Sequence, residues 1–557
     1  MSRPVRRVPA AQAMIVAPQP EAVEAGTEVL ARGGSAVDAV LACAFTQGVV
    51  DPMMCGIGGL GVMQVFDPVS GAHTILDGLS TCPAAAREDM WAGIFERECA
   101  DGYGYVLQGA VNELGHQAVT TPGILRVFEA AHARFGRLGW RDLFAPAIGF
   151  AEDGWMIRPH VAAMFTMNEA AYGRRSYADK LGYTADGARL YLRDGAPKRV
   201  GDPVRNPELA ATLRELADNG AESFFTGAIA RRIVADMEAH GGLLSAADLA
   251  GFRIREHAPL EITYRGRRIA VPPPPAGGIV VVEMLRILER FDLPGLGHNS
   301  PEYIRVLAEA MKIAGLDKET HIGDPDFVPA PLEMLLSDVY ADACAARIAS
   351  GEKTALPRAG GDAKHTTTIS CVDASGMVVS LTHTLGTPSG VMPPGLGFML
   401  NGAMNWYDPR PGRAGSIASG KRRFSSMSPT LVLEGNTPVA TLGAPGGAWI
   451  GVALLQVLVN LLDWGMTMQE AVQAPRFSAT TDAIDISNRI PRGVQRVVEG
   501  MGYEVKRSPM SFPFAAPHGI SLWDGVAEGG ADPQRDGYVG MVPAIASQTL
   551  PSHGRSV

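Results

Sequence analysis

Residues 365–384 read HTTTISCVDASGMVVSLTHT, and this stretch organises the rest of the chain. Two runs rich in β-branched residues flank Asp-Ala-Ser-Gly at residues 373–376, which predicts a β-hairpin whose first strand begins at three threonines. The preceding residues 350–364 (SGEKTALPRAGGDAK) combine Gly, Ala, Pro and charged residues without apolar periodicity, which predicts a mobile, exposed linker. A linker that ends at a threonine cluster on a core strand is what a self-cleaving precursor requires.

The first of the three threonines, Thr366, has the chemistry for self-cleavage. A threonine hydroxyl is a poor nucleophile unless a base lies within hydrogen-bond reach, and a free α-amino group on the same residue supplies one. The pKa of an α-amino group is about 7.7 to 8.0, so a useful fraction is unprotonated near neutral pH. Attack of the Thr366 hydroxyl on the carbonyl of His365 would free this amine. From this stretch alone, the alternative that the threonines only favour a β-strand stays open.

Several further motifs occur along the chain. They are GGSAVDA (33–39), GIGG (56–59), PPPAGG (273–278), LN (400–401), KRRFSSMSPT (421–430), PGG (445–447) and GADPQRDG (530–537). In this order, and with the spacing of Thr366, Ser370, Asp373 and Gly376, they resemble the γ-glutamyltransferase family of N-terminal-nucleophile hydrolases. The resemblance covers nearly the whole chain.

The resemblance implies a particular fold and division of the chain. The expected fold is a four-layer αββα sandwich, an α/β (α+β) architecture whose central sheets draw strands from both fragments; the sequence itself supports mixed α/β layers. Residues 1–365, with a mobile linker at 350–365, would form a helix-rich large subunit, and residues 366–557 the small catalytic subunit. The two would remain together as a heterodimer, and whether two heterodimers pair stays open.

The expected catalytic residues are Thr366, Thr384, Gly446 and Gly447. Gly446 and Gly447 precede an apolar run at residues 448–464 that predicts a helix, so free backbone N–H groups and the positive end of the helix dipole converge there. Such a place can hold an oxyanion, although a plain strand-to-helix turn is the alternative. By resemblance these glycines are the oxyanion glycines, and Thr384 hydrogen-bonds the new α-amine. Because the three threonines are adjacent, the motif can also be aligned one residue later, and Thr367 would then be the nucleophile.

The expected acyl pocket differs from that of family members acting on γ-glutamyl compounds. Those members hold the glutamate α-carboxylate with an arginine and its α-amine with polar and acidic groups. At the matching positions the chain has Leu79, Gly386, Ala403 and Trp406, and of the usual set it keeps only Ser425 and Ser426. A buried charge left without its partner loses about 2 to 5 kcal/mol, so binding of a zwitterionic head group should be weak.

Three functions therefore compete. The favoured one is a self-processing amide hydrolase with an altered acyl pocket, similar to the cephalosporin-acylase-type or oxamate-amidohydrolase-type branches of the family, acting on a small-molecule amide. The second is a true γ-glutamyltransferase or glutathione hydrolase with a rebuilt glutamate site. The third is an unprocessed, non-catalytic family member that only binds a ligand.

Composition excludes several other classes. A hydrophobic content of 46% and a charged content of 19% indicate a folded globular protein. The net charge of −9 gives no sign of the positively charged surface that binds nucleic acid. No apolar run approaches the roughly 18 residues of a membrane span. The basic N-terminus lacks an apolar segment, and the six cysteines lack a framework spacing, which together predict a cytoplasmic protein.

Neither a metal nor a cofactor is expected from the sequence. The twelve histidines are dispersed and form no HExxH or HxxxH pair. His365 and His383 are interpreted as solvated or packed residues rather than catalytic ones. The glycines of residues 55–61 follow a helix and precede a strand, the reverse of the order in phosphate-binding loops, so we interpret them as a tight packing site.

The hydrophobic pattern also predicts individual elements. Helices are expected over residues 21–32, 279–291 and 301–315, and Ser35 with Asp38 predicts a capping box at the start of another. Residues 260–271 are expected to form one strand, and residues 430–433 and 439–442 a second hairpin.

Overall fold

The computed structural model describes residues 11–100, 102–356 and 366–543. His365, and with it one side of the expected cleavage site, lies outside the described residues, as does most of the expected linker. Strands that precede position 366 are β1 Ala11–Pro18, β2 Leu60–Asp67, β3 Ala72–Gly78, β4 Phe95–Glu98, β5 Tyr105–Leu107, β6 Trp155–Met156, β7 Leu192–Arg193, β8 Ala196–Pro197, β9 Pro203–Val204, β10 Arg255–His257, β11 Leu260–Tyr264 and β12 Arg267–Val271. Strands that follow it are β13 Thr367–Val372, β14 Val378–Thr384, β15 Thr430–Glu434, β16 Thr437–Gly443, β17 Phe477–Ser478, β18 Ile484–Ile486, β19 Val505–Arg507, β20 His518–Ser521, β21 Glu528–Ala531 and β22 Gly537–Pro543.

The helices lie mostly before position 366. They are α1 Pro20–Ala31, α2 Ala36–Val50, α3 Ile124–Phe135, α4 Ala145–Asp153, α5 Pro159–Phe165, α6 Tyr177–Leu181, α7 Ala185–Tyr191, α8 Pro207–Asn219, α9 Glu222–Phe225, α10 Ala228–Ala239, α11 Ala246–Gly251, α12 Gly278–Leu288, α13 Leu293–Leu296, α14 Pro301–His321, α15 Leu332–Leu335, α16 Asp338–Ala349, α17 Ile450–Leu462, α18 Met468–Gln473 and α19 Arg492–Gly500. None of these helices is both long and apolar enough to cross a bilayer.

Two antiparallel sheets form the centre of the molecule, and each draws strands from both sides of position 366. The first sheet has the order β10-β3-β2-β14-β13-β1-β22, and the second has the order β11-β12-β15-β16-β20-β21. The hairpin of β13 and β14 therefore lies inside the first sheet, paired with β1 on one side and β2 on the other. Cleavage before Thr366 would leave two fragments joined through both sheets.

The sheets pack face to face, and helices cover their outer faces. Apolar side chains between the sheets include Met14, Val16, Val372, Leu431 and Ile520. A large apolar core joins the outer face of the first sheet to helices such as α2, α3 and α8, and a second core joins the other sheet to α12, α14 and α17. The four layers confirm the expected αββα sandwich, because each sheet has one face toward its partner and one toward helices.

Local sequence signals account for many element boundaries. The capping box of Ser35 and Asp38 is present at the start of α2, since the Ser35 side chain accepts from the Asp38 N–H and the Asp38 side chain from the Ser35 N–H. Gly33 has a φ of 84°, which suits the left-handed end of α1. The helices expected near residues 21–32 and 279–291 are confirmed, and the one expected to end at 315 continues as α14 to His321.

Two sequence expectations need correction. Residues 260–271 form a hairpin, β11 and β12, because Arg265 and Gly266 both adopt positive φ and reverse the chain in a two-residue turn. The expected exposed linker is also anchored at its start, since Thr354 and Leu356 are buried. The Thr354 N–H donates to the Glu309 carboxylate at 2.8 Å.

All six cysteines are buried free thiols.

Candidate active site

Thr366 lies immediately before β13 and is buried. Its carbonyl oxygen accepts a hydrogen bond from Nη1 of Arg535 at 2.8 Å, and the Arg535 side chain is itself buried. The φ of Thr366 is 88°, a region that a β-branched residue adopts only under constraint from its surroundings. The backbone of Thr366 is therefore held in a defined, strained conformation.

The next two threonines use their hydroxyls within the fold. The Thr367 hydroxyl accepts from Nε2 of Gln47 at 3.1 Å, and Oε1 of the same glutamine lies 2.9 Å from Nε2 of His383. The Thr368 hydroxyl donates to the carbonyl of Leu381 at 2.9 Å. Both hydroxyls thus take part in buried hydrogen bonds between neighbouring elements, Thr367 as an acceptor and Thr368 as a donor.

Thr384 ends β14 beside the start of β13. The strand register pairs Thr367 with His383, so one further step along the register sets Thr384 opposite Thr366. The Thr384 hydroxyl accepts from the Gly386 N–H at 2.9 Å, which leaves its own proton free to be donated. A Cβ on Gly59 would overlap the Thr384 carbonyl, and one on Gly58 would lie 2.6 Å from the Met399 carbonyl oxygen, so these two glycines serve close packing, as expected.

Gly446 and Gly447 follow β16 and precede α17. Their φ values are 145° and 55°, and a short 3-10 turn from Gly447 to Trp449 leads into the helix. Neither backbone N–H finds an acceptor among the described residues. Gly443, three residues earlier, packs against the Thr368 side chain, which brings this turn to the start of β13. The turn therefore carries two N–H groups without a partner among the described residues, three and four residues beyond the contact of Gly443 with Thr368.

Three of the expected acyl-pocket residues share one buried apolar cluster. Leu79, Ala403 and Trp406 pack together there. The other buried members of the cluster are Leu60, Val62, Ile75, Ala276 and Met427, with Tyr103 packed against them. The cluster therefore places apolar side chains where glutamyl-specific relatives are expected to hold charged groups.

Gly386 and Trp406 are complementary in shape. A Cβ on Gly386 would lie 3.0 Å from Cη2 of the Trp406 ring, so the indole takes the space that a longer side chain at 386 would need. The ring also meets Tyr103 edge to face at 5.4 Å between centroids. The Trp406 side chain is 6% exposed, and its Nε1–H has no hydrogen-bond partner among the described residues.

Ser425 and Ser426 lie against the proline-rich turn at residues 272–278. The Ser425 N–H donates to the Pro275 carbonyl at 2.9 Å, and the Gly277 N–H donates to the Met427 carbonyl at 2.9 Å. A Cβ on Gly277 would lie 2.6 Å from the Ser426 backbone, so glycine is required for this approach. Since Ala276 and Met427 belong to the apolar cluster, the two serines adjoin it.

Titratable groups near the site are shifted by burial. Burial lowers the pKa of His383 to about 3, so its imidazole is neutral and serves as a packed hydrogen-bonding group. Burial raises the pKa of Asp77, and the charges of Arg422 and His257 act in the opposite direction. The Asp77 carboxylate accepts from the Leu79 N–H at 2.7 Å and so fixes the turn that carries Leu79.

Sequence reasoning missed the roles of three residues. Arg535 lies in the GADPQRDG motif, which marked it without indicating that it binds the Thr366 carbonyl. Asn401, in the quoted Leu-Asn pair, accepts from the Thr120 hydroxyl at 2.6 Å and donates to the Gly58 carbonyl at 3.0 Å, joining three distant segments. Tyr103 lies in no motif, and no local signal could have placed it beside Trp406.

A group of side chains suited to a metal lies apart from these residues. His116, Asp236 and His240 each offer one ligand atom, and the three atoms lie within 4.8 Å of one another. No local pattern marked this group, because the fold brings His116 to Asp236 and His240, which lie about 120 positions further along the chain. Among the described residues no other cluster of this kind occurs.

Comparison with known proteins gives matches along almost the entire chain. The sequence profile described as Gamma-glutamyltranspeptidase matches residues 22–542. The Acylase ACY 1 proenzyme of Pseudomonas sp. (strain V22) is 37% identical over 506 residues, which cover 89% of this chain and 88% of that relative. The Glutathione hydrolase proenzyme of Bacillus subtilis (strain 168) is 31% identical over 550 residues, which cover 94% and 90%. The crystal structure of cephalosporin acylase from Bacillus halodurans gives a TM-score of 0.85 at 28% identity, covering 97% of this chain and 98% of that one.

Proposed function

Because the chain belongs to the gamma-glutamyltranspeptidase family of N-terminal-nucleophile hydrolases and is a hydrolase of amide bonds, we propose that Thr366 is its nucleophile. The Thr366 hydroxyl first attacks the carbonyl of His365, so that the peptide bond between them breaks, the α-amine is freed and the His365 acyl group becomes an ester on the hydroxyl. Water then hydrolyses this ester, which releases the His365 carboxylate and restores the hydroxyl. Residues 1–365 and 366–557 then stay together as a heterodimer, because both sheets contain strands from each fragment.

Substrate hydrolysis uses the same groups. The Thr366 hydroxyl attacks the amide carbonyl of a small-molecule substrate while the new α-amine takes the proton and passes it to the leaving amine. Gly446 and Gly447 donate their N–H groups to the oxyanion, and Thr384 holds the α-amine. Water then attacks the acyl-enzyme, with the α-amine as general base, and releases the acid.

The hydroxyl bonds described above favour Thr366 over Thr367 as nucleophile. The Thr367 hydroxyl is bound by Gln47 inside a buried network, whereas Thr366 lies just before the start of β13, opposite Thr384. The two unpaired N–H groups of Gly446 and Gly447 support an oxyanion site, since buried backbone N–H groups are nearly always bonded.

The acyl group is more apolar than glutamyl. The observation that carries this proposal is that Leu79, Ala403 and Trp406 lie in one buried apolar cluster, at positions where glutamyl-specific relatives are expected to carry charged or polar side chains. The unpartnered Trp406 N–H is available to donate to an oxygen on the acyl chain. We therefore propose an apolar acyl chain that carries an oxygen acceptor, in keeping with the similarity to proteins named as acylases.

A panel of amides with one common leaving amine tests the proposal. The p-nitroanilides of γ-glutamate, glutarate and pentanoate differ only in the far end of the acyl chain, and oxamate tests a much smaller acyl group. We expect glutaryl to exceed γ-glutamyl in kcat/KM by about 30-fold or more, because an ammonium buried without a partner loses about 2 kcal/mol or more. Efficient turnover of γ-glutamyl-p-nitroanilide would overturn the acyl-pocket proposal and favour a rebuilt glutamate site.

A further inference from the structure

A second polar centre joins the end of α10 to the turn at residues 115–121. Nε2 of His116 lies 3.0 Å from Oδ2 of Asp236, and Nδ1 of His240 lies 3.2 Å from Oδ1 of the same carboxylate. The His116 and Asp236 side chains are buried, whereas the His240 side chain is 56% exposed. The carboxylate thus bridges one fixed and one accessible imidazole at the protein surface.

The donor set fits a transition-metal ion in number and spacing. In a tetrahedral site with bonds of about 2.1 Å, ligand atoms are about 3.4 Å apart, and the three candidate atoms lie within 4.8 Å of one another. Nδ1 of His240 also lies 2.9 Å from the Asp236 carbonyl oxygen, a contact that it would leave on binding a metal. The rings of His116 and His240 stack at 4.4 Å between centroids and 15° between planes. A metal lies in the plane of its imidazole ligand, so the exposed His240 ring would turn out of the stack to bind.

The two ring nitrogens of His116 have different surroundings. Nε2 faces the Asp236 carboxylate, whereas Nδ1 is buried without a hydrogen-bond partner among the described residues. Nε2 is therefore the ring nitrogen that the fold positions as a ligand atom.

We propose that His116, Asp236 and His240 bind one Zn²⁺ ion. Two imidazoles and one carboxylate suit borderline divalent ions, whereas Mg²⁺ and Ca²⁺ prefer shells made almost wholly of oxygen. The site has three protein ligands, and its remaining positions open to solvent at His240. The proposal is independent of the hydrolase mechanism, because none of the three residues belongs to the candidate active site.

The ion would tie α10 to a segment that supports the active-site loops. In that segment the Gly115 N–H donates to the Ser389 carbonyl at 2.9 Å, and Thr120 bonds Asn401 through both its N–H and its hydroxyl. Ser389 lies three residues after Gly386, and Asn401 lies two residues before Ala403, so both adjoin expected acyl-pocket residues in the chain. Zinc binding should therefore stabilise the fold and raise the midpoint of thermal unfolding.

The test uses the untagged full chain, freed of metal by a chelator and desalted. Zn²⁺ titration by calorimetry should give one site per chain, and Co²⁺ as a spectroscopic probe should give visible d–d absorption from histidine ligation. His240→Ala should weaken Zn²⁺ binding at least about tenfold and remove the thermal shift. His240 is mostly exposed, so this variant should fold normally.

His321→Ala is the matched control, since it removes a histidine at the end of α14 that is outside the cluster. It should bind Zn²⁺ like the unaltered chain, and Mg²⁺ should give no thermal shift in any variant. The proposal is overturned if the unaltered chain shows no Zn²⁺ site, or if His240→Ala and His321→Ala bind Zn²⁺ equally.

Discussion

The catalytic centre and the acyl pocket adjoin, but they are built in different ways. The proposed catalytic groups stand at the ends of central strands, since Thr366 precedes β13, Thr384 ends β14 and Gly446 follows β16. Their positions are set by strand register and backbone hydrogen bonds. The pocket is formed largely by side chains on connecting segments, of which Leu79 and Trp406 are the main examples.

The proposed reaction and its substrate specificity therefore depend on different parts of the structure. Groups fixed by two packed sheets cannot move without disturbing both cores, whereas a loop side chain can change with little effect on the nucleophile. Relatives named as acylases and as glutathione hydrolases therefore share one scaffold. In this chain Gly386 and Trp406 are an example, because the indole fills the space beside the glycine and the residue types at the two positions therefore depend on each other.

The strongest test of the catalytic region is Thr366→Ala. We expect the chain to stay uncut on a denaturing gel and kcat to fall by about 10⁴-fold or more, because both the nucleophile and its freed amine are lost. Thr367→Val is the matched control and should remain cleaved and active, since its hydroxyl is bound by Gln47. Cleavage of Thr366→Ala, or equal losses in both variants, would contradict the assignment.

A smaller loss is expected from Gly446→Ala. The new Cβ would lie 2.5 Å from that of Ala515 at a φ of 145°, so the turn must shift and misplace its N–H donors. We expect kcat to fall by about 10²- to 10³-fold with a small change in KM. Gly451→Ala, in α17, meets its nearest neighbour at 3.5 Å and should keep full activity. Comparable kcat values for the two variants would remove Gly446 from the oxyanion site.

The acyl pocket is probed by Trp406→Phe, which keeps an aromatic ring and removes the N–H. Loss of one hydrogen bond of about 1 kcal/mol should lower kcat/KM for glutaryl-p-nitroanilide about fivefold. Pentanoyl-p-nitroanilide has no acceptor at that end, so its kcat/KM should hardly change. Equal effects on the two substrates would show that the indole acts only through its shape.

The strands that carry Thr366 and Thr384 should be sensitive to acid. The pKa of His383, which precedes Thr384 on β14, is lowered to about 3 by burial. Because the pKa of His383 is lower in the folded state than in the unfolded state, where it is about 6.5, its contribution to the free energy of unfolding is complete above pH 6.5. This contribution is lost as the pH falls toward 3.

The expected loss from His383 is about 1.4 kcal/mol per pH unit within that window. His518 and His73 are lowered in the same way, to about 3 and about 4. The pKa values of three further histidines are lowered as well. In the uncut Thr366→Ala chain, the midpoint temperature of unfolding should therefore decrease from pH 7 to pH 5, and His383→Gln should make that decrease smaller. An unchanged pH profile in His383→Gln would refute this attribution.

Local sequence alone determined much of the fold. Three features depend on the conformational preferences of residues that are close in the chain, so short sequence patterns predict them. They are the hairpin at residues 367–384, the capping box of Ser35 and Asp38, and the turn before α17. The ordered motifs also indicated the family and the four layers. The hairpin at residues 260–271 was missed because Arg-Gly is a weak turn signal, although both residues adopt positive φ.

Only the tertiary structure decided which distant groups meet. Arg535 reaches the carbonyl of Thr366, Trp406 packs against Gly386 and Tyr103, and His116 meets Asp236 and His240. These contacts join residues that are far apart in the chain, and they form because the sheets and helices pack in one particular arrangement. Short sequence patterns do not encode this packing. The reaction class could therefore be predicted from the sequence, whereas the shape of the proposed acyl pocket and the proposed metal ligands could not.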